Sequence, residues 1–128
     1  MIITNVKMAA TLPAGTKYIA INSTASSAID SLKPFTLSMF LNMNGDSMAP
    51  TICDGDIVCI RCQPEVEQGE IAAVRIGEEA TLKHFHRQGD TVMLLADNAA
   101  VCPPMVYTGP QLNEIRIEGR AVGFCRGL

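Results

Sequence analysis

Phe35-Thr36-Leu37-Ser38-Met39-Phe40-Leu41-Asn42-Met43-Asn44-Gly45 is the stretch that decides the fold. Phe35, Leu37, Met39, Leu41 and Met43 alternate with Thr36, Ser38, Phe40 and Asn42, the period of two expected of a strand with one buried face. The run stops at Asn44-Gly45, a pair that turns a chain. Similar runs follow at Asp56–Arg61, Glu70–Ile76, Ala80–Arg87, Thr91–Leu95 and Ile115–Cys125. Between them stand Gln68-Gly69, Gly77-Glu78, Gly89-Asp90, Asp97-Asn98 and Pro103-Pro104. Short strands joined by Gly/Asp turns predict a mainly β body of strongly curved antiparallel sheets. Lys17 to Asn22 adds a short strand, and Ser23 to Lys33, stopped by Pro34, is the one short helix the pattern allows. The first sixteen residues end in Leu12-Pro13-Ala14-Gly15-Thr16 and read as an extended arm or loop. The expected organisation is therefore an arm over residues 1–16 and a single domain over 17–128.

The chain of 128 residues carries a net charge of −3 and no Lys/Arg run, whereas nucleic acid binding needs clustered cations against phosphate. Direct nucleic acid binding by this chain is not expected. No apolar run reaches the roughly 18–20 residues that span a bilayer, and Met1-Ile2-Ile3-Thr4-Asn5-Val6-Lys7 lacks the order of a secretory signal. A cytoplasmic protein without a membrane partner is the expectation. The five cysteines (Cys53, Cys59, Cys62, Cys102, Cys125) are an odd number, which suggests reduced thiols. Cys59-Ile60-Arg61-Cys62 has metal-ligand spacing, but residues three apart on a strand face opposite ways. His84 and His86 would share a face without a third ligand nearby. Neither a metal nor a cofactor is expected.

The chemistry concentrates in Asn44-Gly45-Asp46-Ser47-Met48-Ala49-Pro50 and in Thr81-Leu82-Lys83. A serine is a poor nucleophile until a neighbour takes its proton. Ser47 follows a strand and a sharp turn, where the backbone N–H groups of Ser47 and Met48 are unpaired and suited to a developing oxyanion. The bland alternative is that Asp46 or Ser47 only caps the turn. Lys83 lies mid-strand, with Thr81 and Phe85 on its face. A neutral amine at pH 7 costs a solvated lysine roughly 4–5 kcal/mol. Burial against apolar walls, for which Met48 and Phe85 are candidates, lowers that cost. The alternative here is an exposed strand lysine. A Ser-His-Asp arrangement would need His84 or His86 to turn back toward Ser47, and Asp54 and Asp56 fit a turn rather than a carboxylate pair. No phosphate-cradling glycine loop is present.

Asn44–Pro50 with Asp54-Gly55-Asp56-Ile57-Val58 resembles the nucleophile segment of the self-cleaving LexA-like repressors and the related UmuD-like mutagenesis proteins. Thr81-Leu82-Lys83-His84-Phe85, then Gly89, Val92, Leu94-Leu95 and Asp97-Asn98, is similar to their lysine strand and following hairpin. Ile117-Glu118-Gly119-Arg120-Ala121-Val122-Gly123 resembles their closing strand. The likeness runs from about Leu41 to Arg126, in order. It implies curved antiparallel sheets of the LexA/signal-peptidase type, Ser47 as nucleophile and Lys83 as general base. It also implies a homodimer, with Ile115 to Cys125 contributing, and stimulation by RecA–single-stranded DNA filaments.

Members of that family cut themselves at an Ala-Gly or Cys-Gly bond before the serine. Ala14-Gly15 lies 33 residues before Ser47 (47 − 14) and is the expected scissile bond, with Leu12 as an anchor. Pro13 departs from the pattern, because it removes an N–H that a strand-like substrate uses. Too few residues precede the bond for a helix-turn-helix. The expectation is thus either the C-terminal piece of a LexA- or CI-type repressor or a UmuD-like protein. Two rivals remain: a non-catalytic dimerisation or effector-sensing module, and a soluble relative of the signal peptidases, which Ser47-Met48-Ala49-Pro50-Thr51 also resembles.

Overall fold

The computed structural model describes residues 2–3, 6–7, 17–20 and 38–126. The helix expected over Ser23–Lys33 and the Ala14-Gly15 bond lie outside the described residues. Among the described residues ten strands form one curled sheet: β1 (Ile2–Ile3), β2 (Val6–Lys7), β3 (Lys17–Ala20), β4 (Ser38–Asn42), β5 (Ile57–Cys62), β6 (Ile71–Ile76), β7 (Glu79–Gln88), β8 (Thr91–Leu95), β9 (Met105–Thr108) and β10 (Ile115–Arg126). Among the described residues the only helical element is a short 3-10 helix, Gly109–Glu114, and no helix is long and apolar enough to cross a membrane. The fold is mainly β, as the alternation predicts.

Every pairing is antiparallel, and the main path runs β2-β4-β5-β10-β6-β7-β8-β9. The twelve-residue β10 ties the molecule together. Its first part pairs with β6, its middle and end pair with β5, and its end also takes β3. Register shifts between Ile117 and Gly119 and between Ala121 and Gly123 let one strand serve these partners, since each bulge bends and twists the strand that carries it. At Gly119 a Cβ would lie 2.3 Å from the Arg61 carbonyl oxygen and 2.7 Å from Ile60 Cγ2. Only glycine allows β10 to cross β5 this closely.

Curling a single sheet creates two cores. The first joins Leu41, Met43, Met48, Ile52, Val58, Ile60, Ile71, Ala73, Leu82, Ala121 and Phe124. The second gathers Ala72, Val74, Phe85, Val92 and Leu94. Strand β6 sends Ile71 and Ala73 to one core and Ala72 and Val74 to the other, so both its faces are buried. That explains why Ile71-Ala72-Ala73-Val74 reads as a continuous small apolar run rather than a clean alternation.

The structure adds three strands that the sequence does not predict. Strands β1 and β2 fall inside the stretch expected to be an arm or loop: Ile2 and Ile3 pair with Thr81 and Ala80 of β7, and Val6 and Lys7 pair with Leu41 and Phe40 of β4. Strand β9 follows Pro103-Pro104 and pairs with β8. In strand β10, Gly119 and Arg120 pair with both β5 and β6, and Gly123, Phe124 and Cys125 pair with both β5 and β3. Ile115, Arg116 and Ile117 pair with β6 alone, which narrows the pairing edge expected of that segment.

Candidate active site

The chain leaves β4 at Asn42 and re-enters the sheet at Ile57, and the loop between them is tied at its neck. Met43 N–H donates to the Asp56 carbonyl at 2.8 Å, and Gly55 N–H returns to the Met43 carbonyl at 2.8 Å. Gly45 adopts φ +94°, a conformation that costs other residues a Cβ clash, and this reverses the chain just before the serine. Two turns follow: Ala49 N–H bonds to the Asp46 carbonyl at 3.1 Å and Ile52 N–H to the Met48 carbonyl at 2.9 Å. Met48 and Ile52 enter the first core fully buried and pull Ser47 inward, so that the residue is 0% exposed. Among the described residues the amides of Ser47 and Met48 meet no acceptor, whereas the next amide, Ala49, is used within the turn.

Lys83 arrives from β7. Alternation along that strand puts Leu82 in the first core and turns Thr81 and Lys83 to the other face, opposite Val74 and Ala72 of β6. Lys83 is 0% exposed, the largest fully buried side chain among the described residues. Its Nζ lies 3.3 Å from Ser47 Oγ, 2.7 Å from Thr81 Oγ1 and 3.0 Å from the Leu82 carbonyl oxygen. Burial holds the Lys83 amine below its ordinary range by disfavouring the ammonium, while negative charge on Cys102, when it is a thiolate, opposes this. An amine in this position has two N–H bonds for the Leu82 carbonyl and the Thr81 hydroxyl, and a lone pair for the Ser47 hydroxyl. The ammonium, by contrast, would donate to all three.

The other candidates read from the sequence resolve differently. His84 stands on the opposite side of β7 from Lys83, with Nδ1 2.9 Å from the Gly69 carbonyl oxygen and Nε2 2.7 Å from Asp97 Oδ1. The histidine and aspartate are thus paired with each other, away from the Ser47 hydroxyl. Asp97 precedes Asn98, whose N–H donates to the Ser47 carbonyl at 2.9 Å. This backbone brace could not be seen in the sequence, because it depends on the β7–β8 register rather than on side-chain identity. Phe85 belongs to the second core and Met48 to the first. Of the Cys59/Cys62 pair, Cys59 is buried and Cys62 exposed, as opposite strand faces require. Burial, reinforced by Cys125 and Cys62, pushes the Cys59 thiol up to about 11. Asp54 Oδ1 accepts the Gly45 N–H at 2.6 Å and Asp56 Oδ2 accepts the Cys53 N–H at 2.8 Å, so both aspartates serve the serine loop.

Thr81 is the member of the site to which the sequence assigned no role. Its only signal was its place two residues before Lys83 on the same face.

Comparison with known proteins covers all of these segments. A family model described as Peptidase S24-like matches residues 6–122, from β2 through most of β10. The chain is 38% identical over 90 residues to the LexA repressor of Geotalea uraniireducens, covering 70% of this chain and 44% of that protein. It is 39% identical over 87 residues to the LexA repressor of Marinobacter nauticus (67% and 42%). It is 40% identical over 87 residues to the LexA repressor of Pseudomonas aeruginosa (67% and 42%). The chain therefore spans less than half the length of the curated relatives it matches. The family model matches from β2 into the closing strand, well over half of the chain, and the chain belongs to the LexA-like, S24-like peptidase family.

Proposed function

We propose that this chain is the autocatalytic serine–lysine peptidase domain of a LexA/CI-like transcriptional repressor or a UmuD-like SOS protein, and that it cuts its own Ala14-Gly15 bond. The observation that carries the proposal is a fully buried lysine amine 3.3 Å from the hydroxyl of a fully buried serine. Neutral Lys83 takes the Ser47 proton, and Oγ attacks the Ala14 carbonyl carbon. The amides of Ser47 and Met48 receive the oxyanion. The lysine then gives its proton to the Gly15 amine as the C–N bond breaks. Water, deprotonated by the same amine, releases residues 1–14 and restores Ser47.

In this proposal residues 1–16 are the substrate arm and residues 17–128 the peptidase and dimerisation domain. The pairing of Ile2 and Ile3 with Thr81 and Ala80 supports delivery in cis, because it lays arm backbone along the strand that carries Lys83. Holding both reactants on one chain replaces an encounter with a docking step, which gives regulation a handle. A RecA–single-stranded DNA filament favouring the docked state is the regulator the family suggests. Homodimerisation and a cytoplasmic setting complete the picture.

Incubation of the purified chain from neutral to alkaline pH, followed by mass spectrometry, tests the proposal. Loss of residues 1–14 that speeds up as the pH rises, and that disappears in Ser47→Ala and Lys83→Ala, supports it. An intact chain at every pH, with and without the filament, points to a non-catalytic dimerisation module. Cleavage only of separate peptides in trans points to a signal-peptidase-like activity.

A further inference from the structure

The serine loop is anchored by the end of the neighbouring strand β10, where Cys125 pairs with Ile57. Asp56, at the loop's exit, is 2% exposed, and its carboxylate collects three donors: Arg126 Nε on Oδ1 at 2.8 Å, Arg126 Nη2 on Oδ2 at 2.7 Å and the Cys53 N–H on Oδ2 at 2.8 Å. Arg126 closes β10, 70 positions later. Its guanidinium also lies over the Phe124 ring, 4.9 Å from the centroid, and Phe124 shares the first core with Met43 and Met48. A fork seated on a ring and bonded twice to one carboxylate fixes direction as well as distance, which a lysine at the same place does not do.

Asp56 is also where the loop's neck is knotted. Its carbonyl accepts the Met43 N–H, and its own N–H donates to the Cys53 carbonyl at 3.0 Å. Lys83 belongs to β7 and depends on none of these bonds. The separation between Ser47 Oγ and Lys83 Nζ is therefore set by how firmly the loop is held against the sheet. We infer that Asp56 and Arg126 are positioning residues, a clamp through which the end of β10 holds Ser47 in line with Lys83. The kinetic part of this inference rests on the self-cleavage proposed above.

The test uses the full chain, with Arg126→Ala and Arg126→Lys read in two ways. Hydrogen exchange followed by mass spectrometry should show segment 44–56 exchanging about tenfold faster in Arg126→Ala, with segment 80–88 unchanged. The limiting rate of self-cleavage should fall by about 10²-fold, the scale of an ångström of misplacement, while the midpoint of its pH profile stays where it is. Arg126→Lys should fall between wild type and Arg126→Ala in both readouts. Wild-type exchange in segment 44–56 would overturn the clamp, as would equal acceleration of both segments or a pH midpoint that moves with the rate. If the wild-type chain is not cut at any pH, the dyad proposal fails, and the contrast in exchange between the two segments alone decides the clamp.

Discussion

Replacing Thr81 with valine probes the buried amine with almost no change in shape. Thr81 is 2% exposed and its Oγ1 lies 2.7 Å from Lys83 Nζ, the shortest of the contacts described around that nitrogen. Valine keeps the volume and the β-branch but deletes the acceptor. A hydrogen bond to a charged donor contributes about 1.5–3 kcal/mol, against about 0.5–1.5 for a neutral one. The ammonium thus loses roughly 1 kcal/mol more than the amine does. At about 1.4 kcal/mol per pH unit, the midpoint of self-cleavage against pH should move down by about half to one unit. The limiting rate should fall at the same time, because the amine loses a bond that aims its lone pair at Ser47. Stability should drop by about 1–3 kcal/mol for the buried donor left without this partner. The assay is the first-order rate of arm loss at a series of pH values, with denaturant unfolding alongside. An upward shift, or an unmoved midpoint with an unchanged limiting rate, would refute the reasoning.

Other substitutions test separate parts of the molecule. Gly119→Ala places a methyl 2.3 Å from a backbone oxygen in the middle of the sheet, where neither strand can yield. It should cost about 3 kcal/mol and lower the midpoint of thermal unfolding by about 10 °C, and an unchanged melt would contradict the close crossing of β5 and β10. Lys83→Met tests burial through its pH dependence. With the folded-state amine lowered beneath the unfolded value of 10.5, the unfolded chain binds more protons between the two values. Wild-type stability should therefore climb with pH through that window, by about 1.4 kcal/mol per unit of lowering, and the climb should be absent in Lys83→Met. Parallel stability curves for the two proteins would contradict it. Leu94→Ala empties a fully buried position in the second core and should cost about 2–5 kcal/mol in denaturant unfolding, and a loss under about 1 kcal/mol would show that this core is not closed.

The strands that the sequence announces are those with enough residues to display a period. Glu79–Gln88 and Ile115–Arg126 are long, alternate visibly and are bounded by Gly or Asp turns. The elements it conceals are short and owe their existence to a partner. Strands β1 and β2 are two residues each, and what makes them strands is the unfilled edges of β7 and β4. Strand β9 has four residues, and the two prolines before it read as a break. For the candidate site, the proposed pair of Ser47 and Lys83 was legible because a nucleophile and a base must be particular residue types in particular surroundings, and the two side chains lie 3.3 Å apart. The Asn98 brace on Ser47 and the Arg126 fork on Asp56 were not, because they join positions 51 (98 − 47) and 70 residues apart. Only the three-dimensional register of the sheet brings such partners together, and no local pattern encodes it.

The protonation of Lys83 itself is the most direct test. The chain has four lysines, Lys7, Lys17, Lys33 and Lys83, so the Cε resonances of a lysine-labelled Ser47→Ala protein can be followed individually from about pH 5 to 11, with Lys83→Met identifying the fourth. A buried amine beside the serine should give one signal that titrates well below the others and is the one missing in Lys83→Met. Four signals titrating together near about 10.4 would contradict it.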